Sequence, residues 1–262
     1  MSKKKSKKRI VKKTILYVLL VFFLVVFIIS GLKIINYIKD GNKNREIIEE
    51  ISKDIAINNE SDGYNIDFES LKAKNSDTVG FLKVNGTNIE QVVVKAQDNS
   101  FYLNHNFEKQ INSAGWVFAD YRNKFDGLDK NIIIYGHNMK NGTMFGSLQN
   151  ILKQEWQENE NNKIIRFITE NEECNYEVFS VYQVEAEDYY IKDTFQQNEF
   201  ASFVNELKSR SIYDFNVDVD EDDSIITLST CGNNNRYRVV LHAKKMIQWK
   251  ELTKDNHKTK CL

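Results

Sequence analysis

The chain has 262 residues, 41% of them apolar and 28% charged, enough for one domain of ordinary size with an appendage and too balanced for general disorder. Proline is absent, which excludes Pro-rich linkers and cis-proline turns and leaves the turns to Gly, Asn and Asp. Residues 1–13 carry eight basic side chains and no acidic one; setting those eight aside from the chain's 36 basic residues leaves 28 against 37 acidic, a formal charge of −9 that argues against a nucleic-acid partner for the body of the protein.

After this basic tail (1–13), Thr14 to Leu32 forms 19 residues without a charge, long enough as a helix to cross a hydrocarbon core of ~30 Å. A cleaved signal peptide has a shorter apolar stretch of ~7–15 residues and a small-residue cleavage site, and neither feature is present here. The segment 14–35 is therefore expected to be an uncleaved single-pass anchor. The basic residues before it put the N-terminus in the cytoplasm and the rest of the chain outside. Residues 36–76 are expected to hold an amphipathic helix and linker: Ile47, Ile48, Ile51 and Ile55 share one helical face, and Asn59–Asn65 reads as a polar loop.

From about Asp77 the pattern changes to short strands rich in Val, Ile and aromatic residues: 79–84, 89–95, 115–121, 132–135, 164–169, 176–184, 224–228 and 237–246. Asn85-Gly86 between the first two is a hairpin signal. Helices are expected at 144–157 and 199–210. About eight strands with few helices suit a mainly β fold, a closed or nearly closed barrel that removes exposed sheet edges, over 77–250, with a polar C-terminal tail at 251–262.

Two strand ends deliver reactive side chains. Ile132-Ile-Ile-Tyr-Gly-His137 ends a hydrophobic run at a histidine, and Ile225-Ile-Thr-Leu-Ser-Thr-Cys231 ends another at a cysteine. Arg236 and Arg238 open the next strand. A Cys, a His and an Arg are sufficient for acyl transfer. A thiol of ordinary pKa near ~8.5 needs a neighbouring base or cation, an imidazole supplies it and then protonates the leaving amine, and a guanidinium steadies the oxyanion. The other cysteines, Cys174 and Cys261, show no CxxC or metal-ligand spacing, so no metal and no cofactor is expected. Cys174 reads as structural or exposed, His105 and His242 as structural, and His257 as part of the polar tail. Asp218–Asp223 lacks the glycine and terminal Glu of a calcium loop and reads as a solvated acidic loop.

The segments TLSTC followed by an Arg on the next strand, YGHNM with MFGSL, Val79-Gly-Phe-Leu-Lys-Val, Asp98-Asn with Tyr-Leu-Asn-His-Asn-Phe107, and Ala119-Asp-Tyr-Arg-Asn123 together resemble the sortases, specifically class B, over roughly residues 78 to 247. The resemblance implies a closed eight-stranded sortase-type β-barrel with a few peripheral helices. It also implies a cysteine transpeptidase in which Cys231 forms the thioacyl intermediate and His137 is the catalytic histidine. Counting back from Ala243-Lys244 selects Arg238 as the catalytic Arg, with Arg236 as the alternative. Ser229, Asn99, Leu103, Tyr190 and Ile191 match substrate-groove positions. Ala186 stands where one member has a Thr, and residues 232–235 (Gly-Asn-Asn-Asn) lack the acidic residue that some members carry after the Cys. The implied activity is cleavage of an NPQTN- or NPxTG-like sorting motif in secreted proteins and transfer to a peptidoglycan-precursor amine of the lipid II type. Pilin polymerisation and a non-catalytic, membrane-tethered peptide-binding module are the alternatives.

Overall fold

The computed structural model describes residues 2–58, 63–231, 236–246 and 259–260. A single unbroken helix, α1 (Ser2–Ile51), begins the chain. Its apolar side chains from Ile15 to Ile29 are exposed around the whole circumference, as in a helix made for lipid. Its last turns bury Ile47 and Ile51 against the rest of the protein. The expected segment 14–35 and the face of Ile47, Ile48 and Ile51 thus lie on one helix, whereas Ile55, expected on the same face, opens the first strand instead. No residue between Leu32 and Ile47 breaks the backbone hydrogen bonding, since Gly41 alone costs only ~1 kcal/mol in helix propensity.

A hairpin of β1 (Ile55–Asn58) and β2 (Gly63–Ile66) follows, so the expected polar loop is strand from Gly63 onward; residues 59–62 lie outside the described residues. Helix α2 (Phe68–Lys74), absent from the sequence expectation, is capped by Asp67, whose carboxylate accepts from the Ser70 N–H at 2.9 Å.

The remaining strands build the barrel. They are β3 (Thr78–Val84), β4 (Ile89–Val94), β5 (Phe118–Ala119), β6 (Asn131–Gly136), β7 (Ile164–Ile168), β8 (Glu172–Glu185), β9 (Ile225–Cys231) and β10 (Tyr237–Lys245). They run in the order β10-β9-β6-β5-β4-β3-β7-β8, and β8 pairs with β10 to close the circle, giving the closed eight-stranded barrel expected. Between β3 and β4 the turn spans four residues rather than two, because only Gly86 of the Asn-Gly pair takes a positive φ (70°). The expected strand 115–121 shrinks to two residues: Gly115 turns the chain at φ 57°, and Trp116 donates its N–H to the Tyr102 carbonyl instead of to a sheet neighbour. The expected helix at 144–157 breaks into a 3-10 turn (Leu148–Leu152) and one short turn, α3 (Gln154–Gln157), after Met144 adopts φ 53°.

Helix α4 (Glu199–Arg210) forms as expected and buries Phe200, Phe203, Val204 and Leu207, spaced for one face, on the outside of β8 and β10. Asp223, in the expected acidic loop, is buried and pairs with Lys244 at 2.7 Å. Of the expected C-terminal tail, Thr259–Lys260 forms β11 parallel to the start of β8, and His257 and Cys261 lie outside the described residues. Cys174 on β8 is fully buried and disulfide-bonded.

Candidate active site

The order β6-β9-β10 brings the strand ends that carry His137, Cys231 and Arg238 to one rim. Strands β6 and β9 are parallel, with Tyr135 opposite Ser229 and Gly136 opposite Thr230. His137 and Cys231 each follow by one residue, so both leave the same rim of the barrel on neighbouring strands ~4.8 Å apart. Strand β10 runs antiparallel on the other side of β9 and sets Arg238 opposite Cys231. Cys231 lies across β10 from Val184, ten residues along β8 from Cys174, or about 33 Å of strand. Cys174 is therefore not bonded to Cys231.

At that rim a cleft of about 530 Å³ opens, lined by Asn99, Leu103, Tyr135, His137, Tyr190, Ile191, Ser229 and Arg238, among others. Seven of the eight residues selected from sequence thus border one cavity; Cys231 itself is placed by its backbone, one residue past Thr230, which also lines it. Ala186 is part of the same wall. Arg236 is not: it is exposed and its guanidinium donates to Glu185 at 2.8 Å. The four residues after Cys231 lie outside the described residues.

The imidazole of His137 is half-exposed, and its Nε2 lies 2.8 Å from the Leu103 carbonyl. A carbonyl only accepts, so Nε2 carries a proton and donates it; Nδ1 is the nitrogen at which the ring gains or loses charge. Two close approaches frame this end of β6. A Cβ on Gly136 would stand 2.7 Å from the Phe145 ring, and one on Gly115 would stand 3.0 Å from Cδ2 of His137 itself. Both positions need glycine for space.

The groove walls rest on a carboxylate that the sequence reasoning did not select. Asp120, fully buried, accepts from the Asn99 amide and the Tyr135 hydroxyl at 2.8 Å each, and from Arg122 Nε and Nη2 at 2.8 Å. Burial alone would raise its pKa. The bonds from Arg122, Tyr135 and Asn99 outweigh burial and hold it below the ordinary carboxylate range. Arg122 continues across the cleft, donating to the Ile191 carbonyl at 2.9 Å and pairing with Asp193 at 2.9 Å. One ion network thereby joins the early wall, at Asn99, to the late wall, at Ile191. The signal was present in the quoted segment Ala119-Asp-Tyr-Arg-Asn123, where a charged pair two residues apart follows an apolar strand.

Behind the groove, Ser229 and Tyr190 share a hydrogen bond of 2.9 Å between hydroxyls. Deeper still, His242 is fully buried between the Thr227 hydroxyl, 2.9 Å from Nδ1, and the Tyr182 hydroxyl, 2.9 Å from Nε2. Thr227 gives its only proton to Asn131 Oδ1, so it accepts from Nδ1–H, and Nε2 accepts from Tyr182. The ring is neutral, its pKa driven down to about 3 by burial. His105 stacks on Phe101 with centroids 4.0 Å apart and donates to its carbonyl, as a structural histidine does.

Comparison with known proteins agrees with this geometry. The family model described as the sortase domain matches residues 82–246. Sortase B of Listeria monocytogenes is 35% identical over 238 residues, covering 87% of this chain and 93% of the relative, and sortase B of Staphylococcus aureus is 33% identical over 223 residues, covering 83% and 91%. Among solved structures, Bacillus anthracis sortase B in complex with AAEK1 superposes with a TM-score of 0.70 at 33% identity, covering 79% of this chain and 98% of that one. A Staphylococcus aureus sortase B–substrate complex gives 0.64 at 32% identity, covering 83% and 97%.

Proposed function

This chain belongs to the sortase family, in the sortase B group, and with that cysteine transpeptidase activity as premise we propose that Cys231, His137 and Arg238 perform the reaction on a sorting motif of the NPQTN or NPxTG kind. The observation that carries the assignment is the strand register: parallel β6 and β9 end together at His137 and Cys231, and β10 sets Arg238 opposite.

In the proposed reaction Nδ1 of His137 takes the thiol proton, while Nε2–H stays on the Leu103 carbonyl and fixes the ring. The Cys231 thiolate attacks the scissile carbonyl carbon of the motif. Arg238, permanently charged, offsets the charge that develops on the carbonyl oxygen. The imidazolium then gives its proton to the departing amine, which leaves a thioacyl bond between the motif and Cys231. A second amine, on a peptidoglycan precursor, attacks the thioester, loses its proton to His137 and restores the thiol. Asn99, Leu103, Tyr190, Ile191 and Ser229 are the proposed peptide contacts. The exposed apolar stretch of α1 is proposed to anchor the chain as a single pass, with the eight basic residues of 1–13 in the cytoplasm and the barrel outside.

The test uses quenched peptides carrying NPQTN-, NPxTG- and LPxTG-like motifs, with and without an amine acceptor. The wild-type chain is expected to cleave the first or second and to form a mass-detectable thioacyl adduct. Cys231→Ala is expected to abolish both, and turnover that survives it would sink the mechanism. Arg238→Ala is expected to lose about 100-fold or more in kcat/KM, the scale for removing one oxyanion donor, with Arg236→Ala near wild type. The reverse ranking would move the role to Arg236.

A further inference from the structure

The ring of His137 is steadied by a backbone carbonyl, and that carbonyl is itself held in place from α1. Nε2–H donates to the Leu103 carbonyl at 2.8 Å. Leu103 ends a single 3-10 turn (Phe101–Leu103), too short to fix a carbonyl by its own hydrogen bonds. The segment 112–116 does so from alongside. Trp116 N–H donates to the Tyr102 carbonyl and Asn112 N–H to the Asn104 carbonyl, both at 2.9 Å, so the carbonyls before and after that of Leu103 are strapped. Between the straps Gly115 turns at φ 57°, where a Cβ would stand 2.4 Å from the Tyr102 oxygen and 2.9 Å from the Leu103 oxygen. Gly115 also lies against the imidazole, since the same Cβ would come 3.0 Å from His137 Cδ2.

Segment 112–116 takes its own position from α1. Asn112, buried, gives one amide hydrogen to the Asp40 carbonyl and the other to Asn44 Oδ1, each at 3.0 Å. Asn44 Nδ2 donates in turn to the Gly115 carbonyl at 2.8 Å. The Asp40 carboxylate accepts from the Ser113 N–H at 2.9 Å and from its hydroxyl at 2.6 Å. Asn44 is fully buried on the helix face that also carries Ile51. An apolar side chain would fill that place without desolvating an amide, and would favour the helix more. An amide bonded at both ends does what an apolar group does not: it fixes the orientation of the groups it touches.

We infer that Asn44 is a positioning residue for the transpeptidation reaction. Its grip on Gly115 and Asn112 holds the Leu103 carbonyl where Nε2–H points, and so fixes which way Nδ1 of His137 faces. A ring free to turn would present Nδ1 in several directions, and misplacing a reacting group by ~1 Å can cost about 100-fold in rate. The helix read as the anchor is then part of what aligns the base, and not a tether alone. This inference rests on the reading of His137 as the base; Asn44 touches neither the substrate nor the reacting atoms.

The test measures kcat and KM separately for the full chain in detergent micelles, with the quenched peptide that the wild type cleaves, well below every melting point. Asn44→Ala is compared with Ile51→Ala, which removes a buried contact of the same helix away from the cleft. Asn44→Ala is expected to lower kcat about 10–100-fold with KM changed less than about threefold, while Ile51→Ala keeps both near wild type at a comparable loss of Tm. Should the alanine chain not fold, Asn44→Ser takes its place, because a hydroxyl can serve the Asn112 amide but falls short of the Gly115 carbonyl; the same fall in kcat is expected. A wild-type kcat in the Asn44 variant, or equal falls in both variants, would overturn the positioning role and leave these contacts to stability alone. A raised KM at unchanged kcat would overturn it too, since Asn44 would then shape the groove wall at Leu103 and not the ring. His137→Ala, run alongside, separates the two readings: turnover like the wild type's would remove the His137 assignment and this inference with it.

Discussion

His242 offers the sharpest physical test of the barrel interior. Its ring is neutral in the folded protein, with a pKa lowered to about 3 by burial, against ~6.5 for an unfolded chain. Between those values the unfolded chain binds the extra proton and the folded chain does not, so folding stability falls as pH drops below ~6.5. One proton corresponds to about 1.4 kcal/mol per pH unit once the unfolded ring is fully protonated, hence about 2.3 kcal/mol between pH 6.5 and 4.5. His242→Gln keeps a polar side chain between Thr227 and Tyr182 but cannot charge. The variant is expected to be less stable than wild type at pH 7, since a buried hydrogen-bonded pair is imperfectly replaced, and yet to lose less stability on acidification. Urea unfolding of both proteins at several pH values would show it. With a urea slope of ~2–3 kcal/mol/M, the wild-type midpoint should drop about 1 M further than the variant's between pH 6.5 and 4.5. Carboxylates elsewhere contribute to both proteins and cancel in the difference. Parallel pH dependences for the two proteins would refute a neutral, desolvated His242.

Three further outcomes follow from packing and charge. Gly136→Ala pushes a methyl group into the Phe145 ring at 2.7 Å, and is expected to cost about 1–3 kcal/mol and to lower kcat through a displaced His137; unchanged melting and turnover would contradict the close approach. Asp120→Asn leaves Arg122 with Asp193 but removes the charge that Asn99 and Tyr135 donate to, so a loss of about 2 kcal/mol and a raised KM for peptide are expected, measured by thermal melting and initial rates. Ile51→Ala, at 3% exposure, should cost about 2 kcal/mol and lower Tm by about 4–8 °C, with kcat/KM for a soluble peptide near wild type because the residue lies away from the cleft.

How far the sequence could be read depended on the range of the forces involved. Strands with continuous Val and Ile, such as β3, β6 and β9, were legible because a buried strand needs little beyond apolar β-formers. The barrel rim residues were legible for the same reason: a polar residue at the end of such a run has to leave the core. The short β5 was read too long, since Gly115 and the Tyr102 carbonyl redirect the backbone, and neither effect is written in local propensity. Likewise the pair Asp120–Arg122 looks like ordinary surface charge until its partners Asn99, Tyr135 and Ile191, distant in sequence, close around it. The choice of Arg238 over Arg236 was not decidable from strand parity, which the two share. The structure puts one beside the cleft and the other on Glu185, a distinction that depends on where β10 starts.

The parallel pairing of β6 with β9 also bears on how the protein is made. Antiparallel neighbours can zip from a turn, whereas this pair is separated by the whole stretch from His137 to Ser224, and His137 precedes Cys231 by 94 residues. Strand β9 must insert between β6 and β10, its partner on the other side, before the thiol and the imidazole stand together. In a chain that folds as it emerges N-terminus first, that insertion belongs to the last steps, because β10 is the final strand of the barrel. Until then the cysteine keeps the low nucleophilicity of a solvated thiol. The long crossover thus delays the meeting of the proposed nucleophile with its histidine until the barrel has closed.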